Sequence, residues 1–263
     1  MERLVPFRNA IKEKLAKGQD VIGTFMLNSA PCYVEILGYA GFDFVIIDTE
    51  HAASTGTDVV DMIRACEVSG AAPIVRVKEN DASQILQALD SGAAGVLVPQ
   101  VNTKEEAIAV VMGSKYAPLG NRGVAGVARG ARYGHVPFGD YVKLANDNTM
   151  VITQIEHISA VGNWDKFLTV EGLDGMFIGQ YDLSQSMGLT GQFRHPDYIS
   201  TIETLVNRVR ATGRWIGMFC LNAEDAAFWK KRGVQFLAIG ADTIMMAAAA
   251  KELIGSFRSL SRQ

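Results

Sequence analysis

Eight short runs rich in β-branched and aromatic residues recur along this chain of 263 residues, and helical spacing fills most of the gaps between them. The runs fall at 21–26, 44–47, 73–77, 95–98, 151–155, 175–178, 215–219 and 236–239. Most are apolar throughout, as expected of parallel strands buried on both faces. Helical patterns lie at 31–39, 56–68, 82–90, 104–112, 197–211, 223–232 and 243–260. Glycines stand near the ends of several of them, among them Gly70 and Gly92, and Thr103 stands as an N-cap. Repeated strand–helix units of this number predict an α/β (β/α)8 TIM barrel, one domain over residues 1–263. A doubly wound open sheet competes with it. That fold would carry a glycine-rich phosphate turn after its first strand, where this chain has Asn28-Ser29-Ala30-Pro31.

Charge and cysteine content narrow the function classes. The formal net charge is −3, so no basic field invites nucleic acid. Cys32, Cys66 and Cys220 are widely spaced and form no C-x-x-C pair, which argues against a disulfide framework or a thiolate zinc site and fits a reducing cytoplasm. Residues 1–8 show no secretory leader signature, and no apolar run is long enough to span a membrane. The connection between the fourth and fifth strands is long and, over 116–137, dense in Gly and Arg. Such connections are commonly functional or interfacial. An anion-binding loop and a subunit interface both remain open for 120–132.

In a barrel, reactive groups belong at the C-terminal ends of the strands. The second strand runs into Asp48-Thr49-Glu50-His51, the third into Arg76, the fourth into Pro99-Gln100, the fifth into Gln154-Ile155-Glu156-His157, and the sixth into Gly179-Gln180-Tyr181-Asp182. Glu156 and Asp182 end neighbouring strands, where two carboxylates would either share a proton or hold a hard cation such as Mg²⁺ or Mn²⁺, with Co²⁺ and Zn²⁺ also admissible. Gln154 faces the same way as Glu156. His51 offers an imidazole, the side chain suited to proton movement beside a carbonyl, with Asp48 as its orienting partner or as a plain rim acceptor. Arg76 offers fixed positive charge to an enolate or carboxylate, or a structural ion pair. His135, His157 and His195 read as surface or supporting groups. Asp242 reads equally as a helix cap, and Lys78, in a polar run, is a poor Schiff-base lysine.

The segment 42–51, Phe-Asp-Phe-Val-Ile-Ile-Asp-Thr-Glu-His, resembles a signature of the HpcH/HpaI family of class II pyruvate aldolases. So, in order, do Val98-Pro99-Gln100-Val101, the stretch 116–123, Gln154-Ile155-Glu156 and the stretch 179–184. The resemblance covers roughly 20–245. It implies a TIM barrel whose last helix is exchanged between subunits of a homo-oligomer, commonly a hexamer. It also implies reversible aldol cleavage of a 4-hydroxy-2-oxo acid to pyruvate and an aldehyde, through an enolate that a divalent metal stabilises. By the same resemblance Glu156 and Asp182 bind the metal, Arg76 steadies the enolate, and His51 moves the proton. Gln154 and the backbone of Gly179 to Asp182 would contact pyruvate, and Asp90 is linked to the catalytic histidine. Asp90 falls at a helix end on the opposite face of the barrel, so it would serve only from a neighbouring subunit. Gln100 and Tyr181 depart from the pattern of some members beside the pocket, and bear on which aldehyde is taken. Three rival activities are a metal-dependent decarboxylase, a citrate-lyase-type lyase using a CoA thioester, and a barrel that binds an oxo acid without catalysis.

Overall fold

The computed structural model describes residues 8–261, so the N-terminal stretch read above lies, except for Arg8, outside them. Eight parallel strands close into a barrel in sequence order. They are β1 Val21–Met26, β2 Phe44–Asp48, β3 Ala72–Arg76, β4 Gly95–Val98, β5 Met150–Ile155, β6 Gly175–Ile178, β7 Trp215–Cys220 and β8 Phe236–Ala241. The open doubly wound sheet is excluded by the pairing of β8 with β1.

The helices are α1 Ala10–Ala16, α2 Pro31–Tyr39, α3 Gly56–Ser69, α4 Ala82–Asp90, α5 Lys104–Ser114, α6 Phe138–Asn148, α7 Ile158–Phe167, α8 Gln180–Ser186, α9 Pro196–Arg210, α10 Ala223–Lys230 and α11 Asp242–Leu260. Their starts follow local chemistry. Thr55 with Asp58, and Thr103 with Glu106, form reciprocal capping boxes that satisfy free amides in the first turns of α3 and α5. Gly70 ends α3 at φ +84°, a conformation that costs any residue with a Cβ. His157 and His195 are N-caps of α7 and α9, which accounts for both imidazoles structurally. Asp242 binds the amides of Leu27 and Asn28, and so ties the start of α11 to the end of β1.

The apolar residues sort into two cores. One lies between the barrel and its helices and includes Val45, Ile47, Met62, Val75, Ile155 and Met218. The other fills the barrel and includes Phe25, Phe44, Ile46, Ile74, Ile152, Phe177, Trp215 and Phe236. Phe44 stacks on Phe236 at 3.9 Å between ring centroids, and Trp215 stacks on Phe236 at 5.0 Å. These rings fit because β1 carries Gly23, where a Cβ would fall 2.2 Å from the Phe44 ring. Each fully buried ring contributes roughly 1.5–3 kcal/mol. The aromatic layer plugs the lower barrel and leaves the chemistry to the C-terminal mouth.

The long connection between β4 and β5 is not loop throughout. It holds α5, a short 3-10 turn at Arg132–Gly134 and α6. Its arginines are paired inside the chain: Arg122 with Asp90 at 2.6 Å and Arg129 with Glu67 at 2.6 Å.

Candidate active site

Side chains along a strand alternate, so inward positions recur every second residue. On β2 the inward series Phe44, Ile46, Asp48 continues to Glu50; on β3 it ends at Arg76; on β5 it runs through Ile152 and Gln154 to Glu156. The barrel register sets Asp48 directly beside Arg76. The two make a fork-to-fork pair, with Arg76 Nε 2.9 Å from Asp48 Oδ1 and Nη2 2.6 Å from Oδ2. Asp48 is fully buried and also accepts from the amide of Glu50 at 2.9 Å. It therefore fixes the guanidinium plane; its contact with His51 is to the backbone amide, at 3.4 Å. Of the two roles open for Asp48, a bond to the imidazole is not the one formed within this chain.

Arg76 Nη1 projects toward Glu50 Oε2, 3.1 Å away. That oxygen is buried, yet no donor is aligned to it among the described residues. Burial pushes the Glu50 carboxyl above its ordinary value, and Arg76 pulls it the other way. The sequence reading gave Glu50 no role, although the inward series on β2 pointed to it. His51 stands at the rim with its side chain 62% exposed, and its Nε2 is 4.0 Å from Glu50 Oε2.

Glu156 is held from two directions. Its Oε1 accepts from the amide of Gln100 at 2.5 Å, and its Oε2 accepts from the Gln154 side-chain amide. Gln100 takes φ +55°, a left-handed backbone that is uncommon outside glycine and that aims its amide at the carboxylate. Burial raises the Glu156 carboxyl, the bonds from Gln154 and Gln100 lower it, and Asp182 raises it further. Gln154 Oε1 is buried without a donor among the described residues. A Cβ at Gly179 would lie 2.9 Å from Glu156 Oε2 and from Gln154 Nε2, so glycine keeps the space beside the carboxylate open.

Glu50, His51, Gln100, Glu156, His157 and Asp182 line one cleft of about 390 Å³ at the mouth. A larger cavity, about 450 Å³, lies at the other end of the barrel beside Arg122 and Arg129, away from every strand C-terminus. Asp90 ends α4 at that lower end, where its backbone carbonyl accepts from Gly130 and its carboxylate from Arg122. The structure thus assembles His51, Arg76, Asp48, Gln100, Gln154, Glu156, Gly179 and Asp182 at one mouth and leaves Asp90 outside it within one chain. Tyr181 sits beside Asp182 with its ring half exposed. Lys78 is exposed and lies outside the cleft.

The donor set suits a hard divalent cation. Among the described residues no three His, Cys, Asp or Glu side chains converge as a closed cage. Two carboxylates, Glu156 and Asp182, beside a space kept clear by Gly179, match the habit of Mg²⁺-type sites, which take one or two protein carboxylates and fill the rest with water and substrate oxygens.

The chain resembles known proteins over nearly its whole length. It is 38% identical over 259 residues to a 2-keto-3-deoxy-L-rhamnonate aldolase of Klebsiella pneumoniae, covering 97% of this chain and 95% of that one. The structure of an HpcH/HpaI aldolase/citrate lyase family protein from Burkholderia cenocepacia superposes with a TM-score of 0.90 at 28% identity, covering 95% of this chain and 99% of that one. That of the citrate synthase SbnG gives a TM-score of 0.87 at 32% identity, covering 96% and 99%. The model of HpcH/HpaI aldolase/citrate lyase matches residues 21–249, and with that match the chain belongs to this family.

Proposed function

We propose that this chain is a carbon–carbon lyase that reversibly cleaves a 4-hydroxy-2-oxo acid to pyruvate and an aldehyde. The observation that carries this reading is the convergence at one mouth of a guanidinium fixed in plane by Asp48 with the carboxylates of Glu156 and Asp182 beside the open space at Gly179.

A divalent cation, Mg²⁺ or Mn²⁺ first and Co²⁺ or Zn²⁺ next, would supply Lewis acidity to the substrate carbonyl from Glu156 and Asp182. Gln154 and the backbone from Gly179 to Asp182 hold the carboxylate end of the substrate. Arg76 stands over the oxygen on which charge develops as the C3–C4 bond breaks and its electron pair passes into the enolate. His51, at the wet rim, takes the proton of the 4-hydroxyl through water, and a proton delivered to C3 then yields pyruvate. Gln100 and Gln154 keep Glu156 oriented. Asp90 would act on the histidine only from a neighbouring subunit. The likeness to a 32% identical citrate synthase favours, as a second reading, a lyase of the citrate-lyase type that uses a CoA thioester. Assays with oxaloacetate and with a malyl-CoA-type thioester separate these.

A homo-oligomer, commonly a hexamer in this reading, is supported by α11, every residue of which from Met246 onward is exposed, including Leu253, Phe257 and Leu260. A cytoplasmic setting is supported by three unpaired cysteines. No helix among the described residues is long and apolar enough to cross a membrane. The test is metal removal: chelation should abolish retro-aldol activity, and Mn²⁺ or Mg²⁺ should restore it. Full activity in demonstrably metal-free protein would overturn the proposal.

A further inference from the structure

The mouth of the barrel has two unlike halves. The polar half spans the ends of β2 to β6. The other half is aromatic. The Arg76 guanidinium carbon lies 4.9 Å from the centre of the Phe25 ring on β1. Phe25 meets Phe219 of β7 edge-on at 5.7 Å. Phe219 lies 6.3 Å from Tyr181, and Tyr181 meets Phe193 edge-on at 5.0 Å. A continuous line of aromatic contacts therefore runs from the reacting end to the rim, where Tyr181 is 51% exposed and Phe193 partly so.

The cations near this wall are engaged. Arg76 is bound by Asp48 and Glu50. Arg194, beside Phe193, pairs with Asp225 at 2.9 Å and lies 3.7 Å over the Phe228 ring. The ionisable groups that line the neighbouring cleft are the carboxylates Glu50, Glu156 and Asp182 and the imidazoles His51 and His157. For the distal carboxylate of an aldehyde, this wall offers no free cation among the described residues. An apolar substituent would find a π surface to cover, and a half-exposed ring gains by being covered.

We infer that this wall is the aldehyde subsite and that Tyr181, buttressed by Phe193, selects aldehydes bearing an aryl or alkyl substituent over acidic ones. The inference deepens the aldolase reading and rests on it. The test compares kcat/KM for addition of pyruvate to 3-phenylpropanal and to succinic semialdehyde in the wild type and in Tyr181→Ala, Tyr181→Phe and Phe193→Ala. The wild type should favour the aryl aldehyde about tenfold or more, the scale on which apolar pockets discriminate. Tyr181→Ala should collapse that ratio, chiefly through KM for the aryl aldehyde. Tyr181→Phe should keep it, and Phe193→Ala should fall between. A wild type that prefers the semialdehyde, or a ratio unmoved by Tyr181→Ala, overturns the inference while leaving the aldolase intact. Deuterium exchange at the pyruvate methyl needs no aldehyde and separates the two failures. No exchange and no addition with either aldehyde would sink the aldolase reading and this inference with it.

Discussion

The Arg76–Asp48 pair shows how one register position decides a site. Because β2 and β3 align these residues, the carboxylate clamps the guanidinium through two parallel bonds, a geometry lysine cannot reproduce. Arg76→Lys should therefore keep a positive charge at the site and still lower kcat for retro-aldol cleavage, on the order of a hundredfold, with a smaller change in KM. Steady-state kinetics checks this, and a kcat close to wild type would mean that charge alone suffices. The sequence left Asp48 two roles, orienting partner of His51 or rim acceptor, and its pairing with Arg76 was hidden because it depends on a neighbour across the strands. Glu50 went unassigned for a related reason: past the end of β2, only the continued inward alternation marks it as facing the cleft.

At the scale of elements, the strand ends were legible because buried parallel strands leave uninterrupted apolar runs bounded by polar groups. β1, β4 and β6 fall where the runs do, and the others differ by a residue or two at one end or both. Four helices were not legible. α1 and α8 are seven residues each, too short for a period to show. α7 carries Gly162 mid-helix, and α6 follows a Gly- and Arg-rich stretch that reads as loop. α11 was legible as a helix, while its exposure was not, since spacing alone does not say what covers an apolar stripe. Leu253, Phe257 and Leu260 lie at helical spacing and are 66–71% exposed, and a helix standing clear of other contacts gains little stability from propensity alone. Leu253→Glu with Phe257→Glu should convert the proposed oligomer to monomers or smaller species by sedimentation or light scattering. Unchanged mass would show that α11 is not part of the interface.

The whole molecule carries its own electrostatic signature. Lys115 is buried where α5 ends, with its Nζ donating to the carbonyl oxygens of Asn146 at 2.6 Å and Thr149 at 2.8 Å. Burial lowers its ammonium to about 8 from an ordinary value of 10.5. Between those values the unfolded chain binds more proton than the folded one, so this lysine's contribution to stability grows as pH rises through the window and is lost as pH falls through about 8. The stability difference between wild type and Lys115→Met should shift toward the wild type from pH 8 to pH 10, by at most about 1.4 kcal/mol per pH unit. Urea midpoints at several pH values read this directly, and a flat difference would contradict it. The central claim, that the mouth of this barrel generates a pyruvate enolate, is tested most directly by NMR of pyruvate in D₂O with the metal-loaded enzyme and no aldehyde. The methyl signal should lose protium at a rate proportional to enzyme concentration, more slowly with Arg76→Ala. A methyl that exchanges no faster than in buffer would contradict the account.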